Sequence, residues 1–264
     1  MRTVRFWKSP VCGPVALAMV LMCGCEVVPE TGRRQLMLVS TAQEAQMGLA
    51  AFNSMKQEMP LSRDSQAAAM VKRVGERIAR VANLPNAQWE FVLFESKEAN
   101  AFCLPGGKVG VYSGILAITK DEAGLATVIG HEVAHAVARH GAERVSEAML
   151  LQGGGQAVGL LSSSADPRTQ AGILLAYGAV TKLGRELPHS RQQEAEADHL
   201  GLLYMARAGY NPEAAIEFWK RFAAHTGGSE SRFLSFLRTH PLSEDRIRAI
   251  QERLPEARAQ YRPQ

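Results

Sequence analysis

A short polar motif inside an apolar run, His131-Glu132-Val133-Ala134-His135, is the feature that most constrains this chain. Residues four positions apart lie about 40° apart around an α-helix, so both imidazoles would face one point. Burying unpaired polar side chains is costly, so the histidines need a chemical partner or each other. Apolar residues surround most of the predicted helix axis: Leu125, Val128, Ile129, Val133, Ala136 and Val137.

Zinc chemistry is the interpretation that this spacing favours. Two neutral imidazoles can occupy two corners of a zinc tetrahedron, which leaves room for a further ligand and a water molecule. Glu132 follows the first histidine and can reach that water as a general base, since zinc lowers the pKa of bound water to about 7. The alternative is a chance match in which His131 and His135 form a satisfied pair in the core. Thr119 and Glu122 form a capping-box pattern that predicts the start of this helix.

A second polar constellation occupies residues 190–201. Glu194 and Asp198 share one face of a predicted helix, whereas Glu196 points about 160° away from Glu194. A carboxylate suits a third zinc position, and an acid one turn later can hydrogen-bond a ligating histidine. Such an acidic helix is usually a solvated face, but its combination with the histidine motif favours function. Glu196 is expected to have no effect on the metal, and His140 is expected to be a poor ligand.

Two strand-like runs precede the histidine motif, at residues 89–94 and at Lys108–Tyr112. Between them, Asn100, Ala101 and Phe102 are followed by the turn signal Pro105-Gly106-Gly107. The pattern predicts a hairpin whose outer strand lies at an edge, where an extended peptide could pair with it. A small structural sheet without that role explains the same residues equally well.

The beginning of the chain is typical of a targeting signal. Three basic residues precede an apolar run over residues 11–22, which is too short to span a bilayer comfortably. The sequence Met22-Cys23-Gly24-Cys25 resembles a lipoprotein signal that ends in a lipidated Cys25. We therefore divide the chain into a signal (1–24), a lipidated tether (25–40) and one domain (41–264). A plain secretory signal or an uncleaved anchor is the alternative.

Composition excludes one class of partner and one kind of crosslink. Without the three basic residues of the leader, 27 of the 30 lysines and arginines remain, against 26 acidic residues, so no nucleic-acid surface is indicated. Of the four cysteines, only Cys103 follows Cys25, so an internal disulfide in the domain is excluded. Cys103 fits a small buried hydrophobe better than a catalytic nucleophile.

Together these motifs resemble the HtpX-like and CAAX-prenyl-protease-like zinc metallopeptidases, and most closely their bacterial periplasmic lipoprotein branch. The residues that carry the resemblance are the histidine motif with Glu194 and Asp198, the stretch 31–36, Asn100-Ala101-Phe102 with Pro105-Gly106-Gly107, Ser190-Arg191, and His240-Pro241 with Arg246-Ile247. The resemblance implies an α+β, mostly helical, zincin-like domain with a small edge-stranded sheet. It also implies that His131, His135 and Glu194 bind one Zn²⁺ per chain.

By the same resemblance, Glu132 is the general base, Asp198 supports a ligand from behind, and His240 lies near the metal, where it stabilises an oxyanion or occludes the site. The alternative for His240 is a simple turn residue before a proline. The implied activity is a membrane-anchored endopeptidase for misfolded or stalled envelope proteins. By resemblance, the expected location is the periplasm of a Gram-negative bacterium. Glu26 after Cys25 favours a lipid anchor in the outer membrane over one in the inner membrane. A non-proteolytic assembly factor for outer-membrane proteins is the main alternative, and zinc storage is a weaker one.

Overall fold

The computed structural model describes residues 25–182, 187–226, 236, 240–241 and 244–263. The segment 1–24, which the sequence predicts to be a signal, lies outside the described residues. The mostly helical α+β class predicted from the sequence is confirmed.

The helices are α1 Thr41–Glu58, α2 Ser65–Ala79, α3 Leu116–Thr119, α4 Glu122–Val137, α5 His140–Leu161, α6 Pro167–Thr181, α7 Leu187–Arg207, α8 Ala214–Thr226 and α9 Glu244–Gln260. The strands are β1 Cys25–Val27, β2 Arg34–Leu36, β3 Glu90–Phe94, β4 Ala101–Leu104 and β5 Lys108–Tyr112, and a 3₁₀ turn covers Ser113–Ile115.

The predicted hairpin is present and forms part of a three-stranded sheet of order β3-β5-β4. Strand β4 pairs antiparallel with β5, and β3 pairs parallel with β5 on its other side. Gly106 and Gly107 in the connecting turn have φ angles of 82° and 83°, a left-handed conformation that glycine adopts without steric cost. Among the described residues, strand β4 therefore lies at the edge of this sheet, next to the helix that carries the histidine motif.

Helix α4 lies in the core, and a glycine-to-glycine crossing brings α7 against it. A Cβ atom on Gly201 would lie 2.8 Å from the backbone nitrogen of His131, and one on Gly130 would lie 2.9 Å from the carbonyl oxygen of Gly201. Both distances are too short for a side chain, so the two backbones touch only because neither residue has one. This close approach brings the histidines of α4 and the acids of α7 to one place.

The start of α4 differs in detail from the prediction. Its N-cap is Asp121, whose side chain accepts a hydrogen bond from the backbone N–H of Gly124. Thr119 instead ends α3, and its hydroxyl donates to the carbonyl of Leu116. The threonine is therefore used by the preceding helix, and the aspartate two residues later caps α4.

The stretch expected to be a polar tether forms a short antiparallel hairpin, β1–β2, that contacts the domain. Glu30 accepts hydrogen bonds from Tyr204 at 2.7 Å and from Arg207 at 2.9 Å, both on α7. Arg33 forms ion pairs with Glu143 on α5 and Glu196 on α7. These contacts hold residues 25–36 against the same helix that carries the acidic constellation.

Helices α5 and α6 form a hairpin that exposes several large apolar side chains, among them Leu160, Leu161, Leu175 and Val180. Within the described part of the chain, none of the helices combines the length and the apolar character needed to cross a bilayer.

Candidate metal centre

Four side chains that can bind a metal converge in the core, from three separate parts of the chain. His131 and His135 come from α4, Glu194 from α7, and His240 from the segment before α9; all four are buried, and one possible ligand atom from each lies within 4.8 Å of the others. The Nε2 atoms of His131 and His135 are 3.1 Å apart. The carboxylate oxygens of Glu194 lie 3.4 Å from the first of these nitrogens and 3.3 Å from the second.

These distances fit a zinc ion. Zinc bonds of about 2.0–2.1 Å in a tetrahedron place neighbouring ligand atoms about 3.3–3.4 Å apart. Among the described residues, the buried Oε1 atoms of Glu194 and Glu132 have no hydrogen-bond partner. Buried polar atoms are almost always paired, so unpaired carboxylate oxygens beside two imidazole nitrogens point to a cation between them. The set of imidazoles and one carboxylate is also the donor chemistry that zinc prefers.

The electrostatics of Glu194 suit a metal-binding carboxylate. Burial raises its pKa, but the imidazoles of His131, His135 and His240 beside the carboxylate outweigh burial and together hold the pKa well below its usual range. The carboxylate is therefore ionised over the whole physiological pH range.

Glu132 lies between the metal-binding cluster and a surface cavity. Its Oε1 atom is 3.3 Å from Nε2 of His240. Burial is the main cause that raises the pKa of Glu132, and the negative charge of Glu194 adds to it. The adjoining cavity of about 240 Å³ is lined by Asn100, Ala101 and Phe102 of the edge-strand region as well as by Glu132 and His135. A raised pKa beside an accessible cavity suits a group that takes up and releases a proton.

His240 has one ring nitrogen on each side of the site. Its Nδ1 atom lies 2.9 Å from Glu194 and 3.1 Å from Nε2 of His131, and its Nε2 atom faces Glu132. The residue is 6% exposed, so it is enclosed and does not act as a solvated turn residue. Nδ1 could serve as a fourth ligand atom and Nε2 could contact a reacting group.

Asp198 lies behind His131, on the side away from the cluster. Its Oδ1 atom is 3.0 Å from Nδ1 of His131. Arg246 donates two hydrogen bonds to the same carboxylate, at 2.6 and 2.8 Å, and its guanidinium lies 4.0 Å from the ring centre of Trp219. Burial raises the pKa of Asp198, but the charge of Arg246 and the hydrogen bonds with His131 and Arg246 together outweigh burial and keep the pKa below its usual value. Sequence reasoning included Arg246 only through the family resemblance, because nothing in its local pattern places it here.

Two further residues, His140 and Glu196, are connected to the site by contacts that the sequence did not predict. His140 offers no atom to the cluster, but its Nδ1 lies 2.7 Å from Nδ1 of His135. Its Nε2 lies 2.9 Å from Glu196, the acid expected to have no connection with the metal. On α7, Glu196 contacts Thr31, Arg33 and His140, and the imidazole of His140 links it to His135.

Cys103 lies on β4 beside the cavity, but its chemistry is unsuited to nucleophilic attack. Burial raises the pKa of the thiol far above its usual value, and the nearby carboxylate of Glu132 opposes a thiolate further. A thiol that stays protonated is a poor nucleophile.

Zinc must compete with a proton at this site, which gives the first testable prediction. Burial lowers the pKa of His131, but Asp198 and Glu194 outweigh it and raise the pKa to about 9 in the metal-free protein. Zinc needs the neutral imidazole, so at pH 7.5 its binding should release about one proton. Isothermal titration in buffers of different ionisation enthalpy measures this number.

Asp198→Asn removes the charge that favours the imidazolium and should reduce the release. The release should also vanish above pH 10, where the imidazole is already neutral. Zinc binding at pH 7.5 without proton release would contradict the charge state assigned to His131.

The matching family model and the similar proteins indicate the same family. The model of the family described as "Peptidase family M48" matches residues 65–254. The chain is 39% identical to a protein of Schizosaccharomyces pombe named mitochondrial metalloendopeptidase OMA1, over 88% of this chain and 67% of that protein. It is 37% identical to the Saccharomyces cerevisiae protein of the same name, over 67% of this chain and 50% of that one. It is 28% identical to the β-barrel assembly-enhancing protease of Escherichia coli, over 88% of this chain and 48% of that protein.

The expected location in a Gram-negative periplasm, at the outer membrane, is contradicted by these similarities. The two yeast relatives share more identity with the chain than the bacterial one does, and their names place them in the mitochondrion. The physical reason for the error is that a basic, acid-poor leader is common to secretory and mitochondrial targeting. A few residues around Cys25 were therefore too little to fix the compartment.

The chain spans about half the length of two of these relatives and 67% of the third. The narrower assignment to a lipoprotein branch stays a prediction. The predicted zinc cofactor and enzyme class, a zinc metalloendopeptidase, are confirmed. Since the family model covers well over half of the sequence, the chain belongs to peptidase family M48.

Proposed function

We propose that this chain is an endopeptidase in which His131, His135 and Glu194 hold zinc and Glu132 acts as the general base. The observation that carries the proposal is the convergence of the ligand atoms of two helices in one buried cluster, with Glu132 between that cluster and an open cavity. Asp198 has the supporting role of orienting His131, because its carboxylate lies behind that ring.

Each residue then has a defined task in peptide hydrolysis. Zinc supplies Lewis acidity, which polarises the scissile carbonyl and makes water a better nucleophile. Glu132 takes a proton from the attacking water on its carboxylate and passes it to the departing amine. His240 stabilises the negative charge that develops on the carbonyl oxygen or, when it occupies the fourth position, occludes the centre. Its two ring nitrogens, one near Glu194 and one near Glu132, support both possibilities.

The edge strand supports the substrate class that we propose. β4 has β5 on one side, and residues 100–103 line the cavity that also contains Glu132 and His135. A peptide must be extended to add to such an edge, so segments of misfolded or stalled proteins are suitable and intact folded domains are not.

Degradation of a permanently unfolded model protein, with its natively folded form as the matched control, tests this activity. We expect cleavage of the unfolded form only, loss of cleavage with a zinc chelator, and recovery when zinc is restored. Cleavage that persists in a chelator would contradict the proposed chemistry.

Membrane attachment through an acylated Cys25 is the second part of the proposal. Cys25 is exposed at the start of β1, and the domain begins to pack within a few residues of it. Cys25→Ala should move the protein from the membrane fraction to the soluble fraction and abolish palmitate incorporation, while zinc content stays unchanged. Cys103→Ala is the matched control and should change neither. Unchanged palmitate labelling in Cys25→Ala would refute this anchor.

A non-proteolytic role in assembly is the alternative function. One observation favours it: the Escherichia coli relative is named for enhancing β-barrel assembly as well as for proteolysis. A variant that has lost hydrolysis but keeps its fold distinguishes the proteolytic role from the assembly role.

A further inference from the structure

We propose that His140, held by Glu196, positions the imidazole of His135 for the metal. His140 is then a positioning residue, because it acts through His135 and contacts no substrate. The inference rests on the proposed ligand set, and it adds two residues that the comparisons do not assign. It also changes the expectation for Glu196, which the sequence pattern separates from the metal.

For a neutral His140, the contacts allow only one arrangement of hydrogens. Oε2 of Glu196 lies 2.6 Å from Nε of Arg33, and a guanidinium only donates, so this oxygen accepts. The same oxygen lies 2.9 Å from Nε2 of His140, which must therefore carry a hydrogen and donate it. In a neutral imidazole the other nitrogen is then an acceptor. Nδ1 of His140 accordingly accepts from Nδ1 of His135, 2.7 Å away.

This arrangement prepares His135 for zinc. With its hydrogen on Nδ1, His135 keeps an unprotonated Nε2, and that atom lies 3.1 Å from Nε2 of His131 and 3.3 Å from Glu194. The hydrogen bond from Nδ1 also fixes the rotation of the ring. A ligating histidine usually donates its second N–H to a carboxylate or a carbonyl for this purpose. His131 has Asp198 in that position, whereas His135 reaches its carboxylate through a second imidazole.

A break in the helix makes the contact possible. Arg139 adopts a left-handed conformation, with φ of 57°, between α4 and α5. In a continuous helix, positions 135 and 140 would lie about 140° apart, and the two rings could not meet. The turn at Arg139 folds His140 back onto His135. Glu44 and the carbonyl of Val39 hold the Arg139 side chain in place.

The N-terminal hairpin completes the network. Arg33 donates to Glu196 and also donates two hydrogen bonds to Glu143, at 2.7 and 2.9 Å. Thr31 donates its hydroxyl to Glu196 as well. His140 is 0% exposed, so it has no access to water as a substitute partner. If Nδ1 of His140 were removed, the Nδ1–H group of His135 would lose its acceptor and remain buried and unpaired.

Zinc affinity, measured by competition with a chromogenic chelator, tests the inference without any assay of activity. His140→Leu removes the acceptor at similar volume and should weaken zinc binding by roughly 10- to 100-fold. His140→Asn should restore most of the affinity, because its side-chain oxygen can take the place of Nδ1. Glu196→Gln should weaken binding about 10-fold, at the low end of that range.

Glu30→Gln is the matched control. It makes the same chemical change at another carboxylate that joins the N-terminal hairpin to α7. It should bind zinc like the wild type even if its thermal stability falls. The visible spectrum of the cobalt-substituted protein gives a second measurement, which we expect to change in His140→Leu and to stay unchanged in Glu30→Gln.

The possible outcomes distinguish a failure of this inference from a failure of the proposed ligand set. If His135→Ala retains wild-type zinc affinity, the ligand set is wrong and the inference fails with it. If His135→Ala loses zinc while His140→Leu keeps wild-type affinity and an unchanged cobalt spectrum, only the role of His140 is refuted. Should His140→Leu fail to fold, Glu196→Gln decides, and wild-type affinity in that variant overturns the inference. Equal losses in Glu196→Gln and Glu30→Gln would overturn it too, since general destabilisation would then explain both.

Discussion

The Glu132→Gln variant is expected to keep its fold and its zinc but to lose hydrolysis by roughly 100- to 10,000-fold, the usual contribution of a general base. Glutamine has the same shape, but its amide cannot take a proton from the attacking water. Glu132 offers no atom to the four-residue cluster, so the metal should stay bound. Zinc content by atomic absorption and turnover of an unfolded protein measure the two halves of this prediction.

Glu122→Gln is the matched control for this experiment. Glu122 begins the same helix, but its carboxylate accepts hydrogen bonds from Arg73 and Tyr210, away from the cavity. This variant should retain activity. Near-normal turnover by Glu132→Gln would mean that another group is the base. If Glu132→Gln loses turnover but still supports membrane-protein assembly, the non-proteolytic function gains support.

The parts of the fold that local patterns encode were predictable from the sequence. The apolar surroundings of the histidine motif predicted a buried helix, and α4 is buried from Gly124 to His135. The turn at Gly106-Gly107 predicted the hairpin of β4 and β5, because only glycine readily adopts its backbone conformation. The parallel pairing of β3 with β5 was not predictable in the same way, because nothing in either strand specifies its neighbour.

In the site, too, the sequence predicted what depends on local spacing and missed what depends on the fold of the chain. Helical spacing placed Glu194 and Asp198 on one face of α7, and the structure puts both beside His131. The contact between His140 and His135 depends on a left-handed residue, Arg139, which has no glycine-like signature in the sequence. Ideal helical geometry therefore could not reveal the contact of His140 with His135.

The contacts of the N-terminal hairpin were hidden for a different reason. Arg33 reaches Glu196 across a separation of 163 residues. A polar segment of this length has the composition of a linker, and only the position of α7 shows that its charges have buried partners. Glu196 was consequently expected to have no effect on the metal. Burial raises its pKa, but hydrogen bonds from His140, Thr31 and Arg33 and the charge of Arg33 together outweigh burial and lower the pKa to about 2.

Removal of Glu194 should have the largest effect on the metal of any single change on α7. Glu194→Ala deletes a proposed ligand whose two oxygens approach both histidines, so its loss of zinc affinity should exceed the roughly 100-fold upper range for supporting residues. Asp198→Ala should weaken binding by roughly 10- to 100-fold, because it frees the ring of His131 without removing a ligand. Chelator competition on the purified variants measures this order.

Thermal unfolding gives an independent check on the same variants. Zinc stabilises the folded protein in proportion to the logarithm of its concentration over the dissociation constant, so a zinc concentration that raises the wild-type unfolding temperature should leave Glu194→Ala nearly unchanged. Glu30→Gln again serves as the control and should respond to zinc as the wild type does. If Asp198→Ala lost more zinc affinity than Glu194→Ala, Glu194 could not be the third ligand. The carboxylate behind His131 would then be the one that holds the metal, and the arrangement of the centre would have to be reversed.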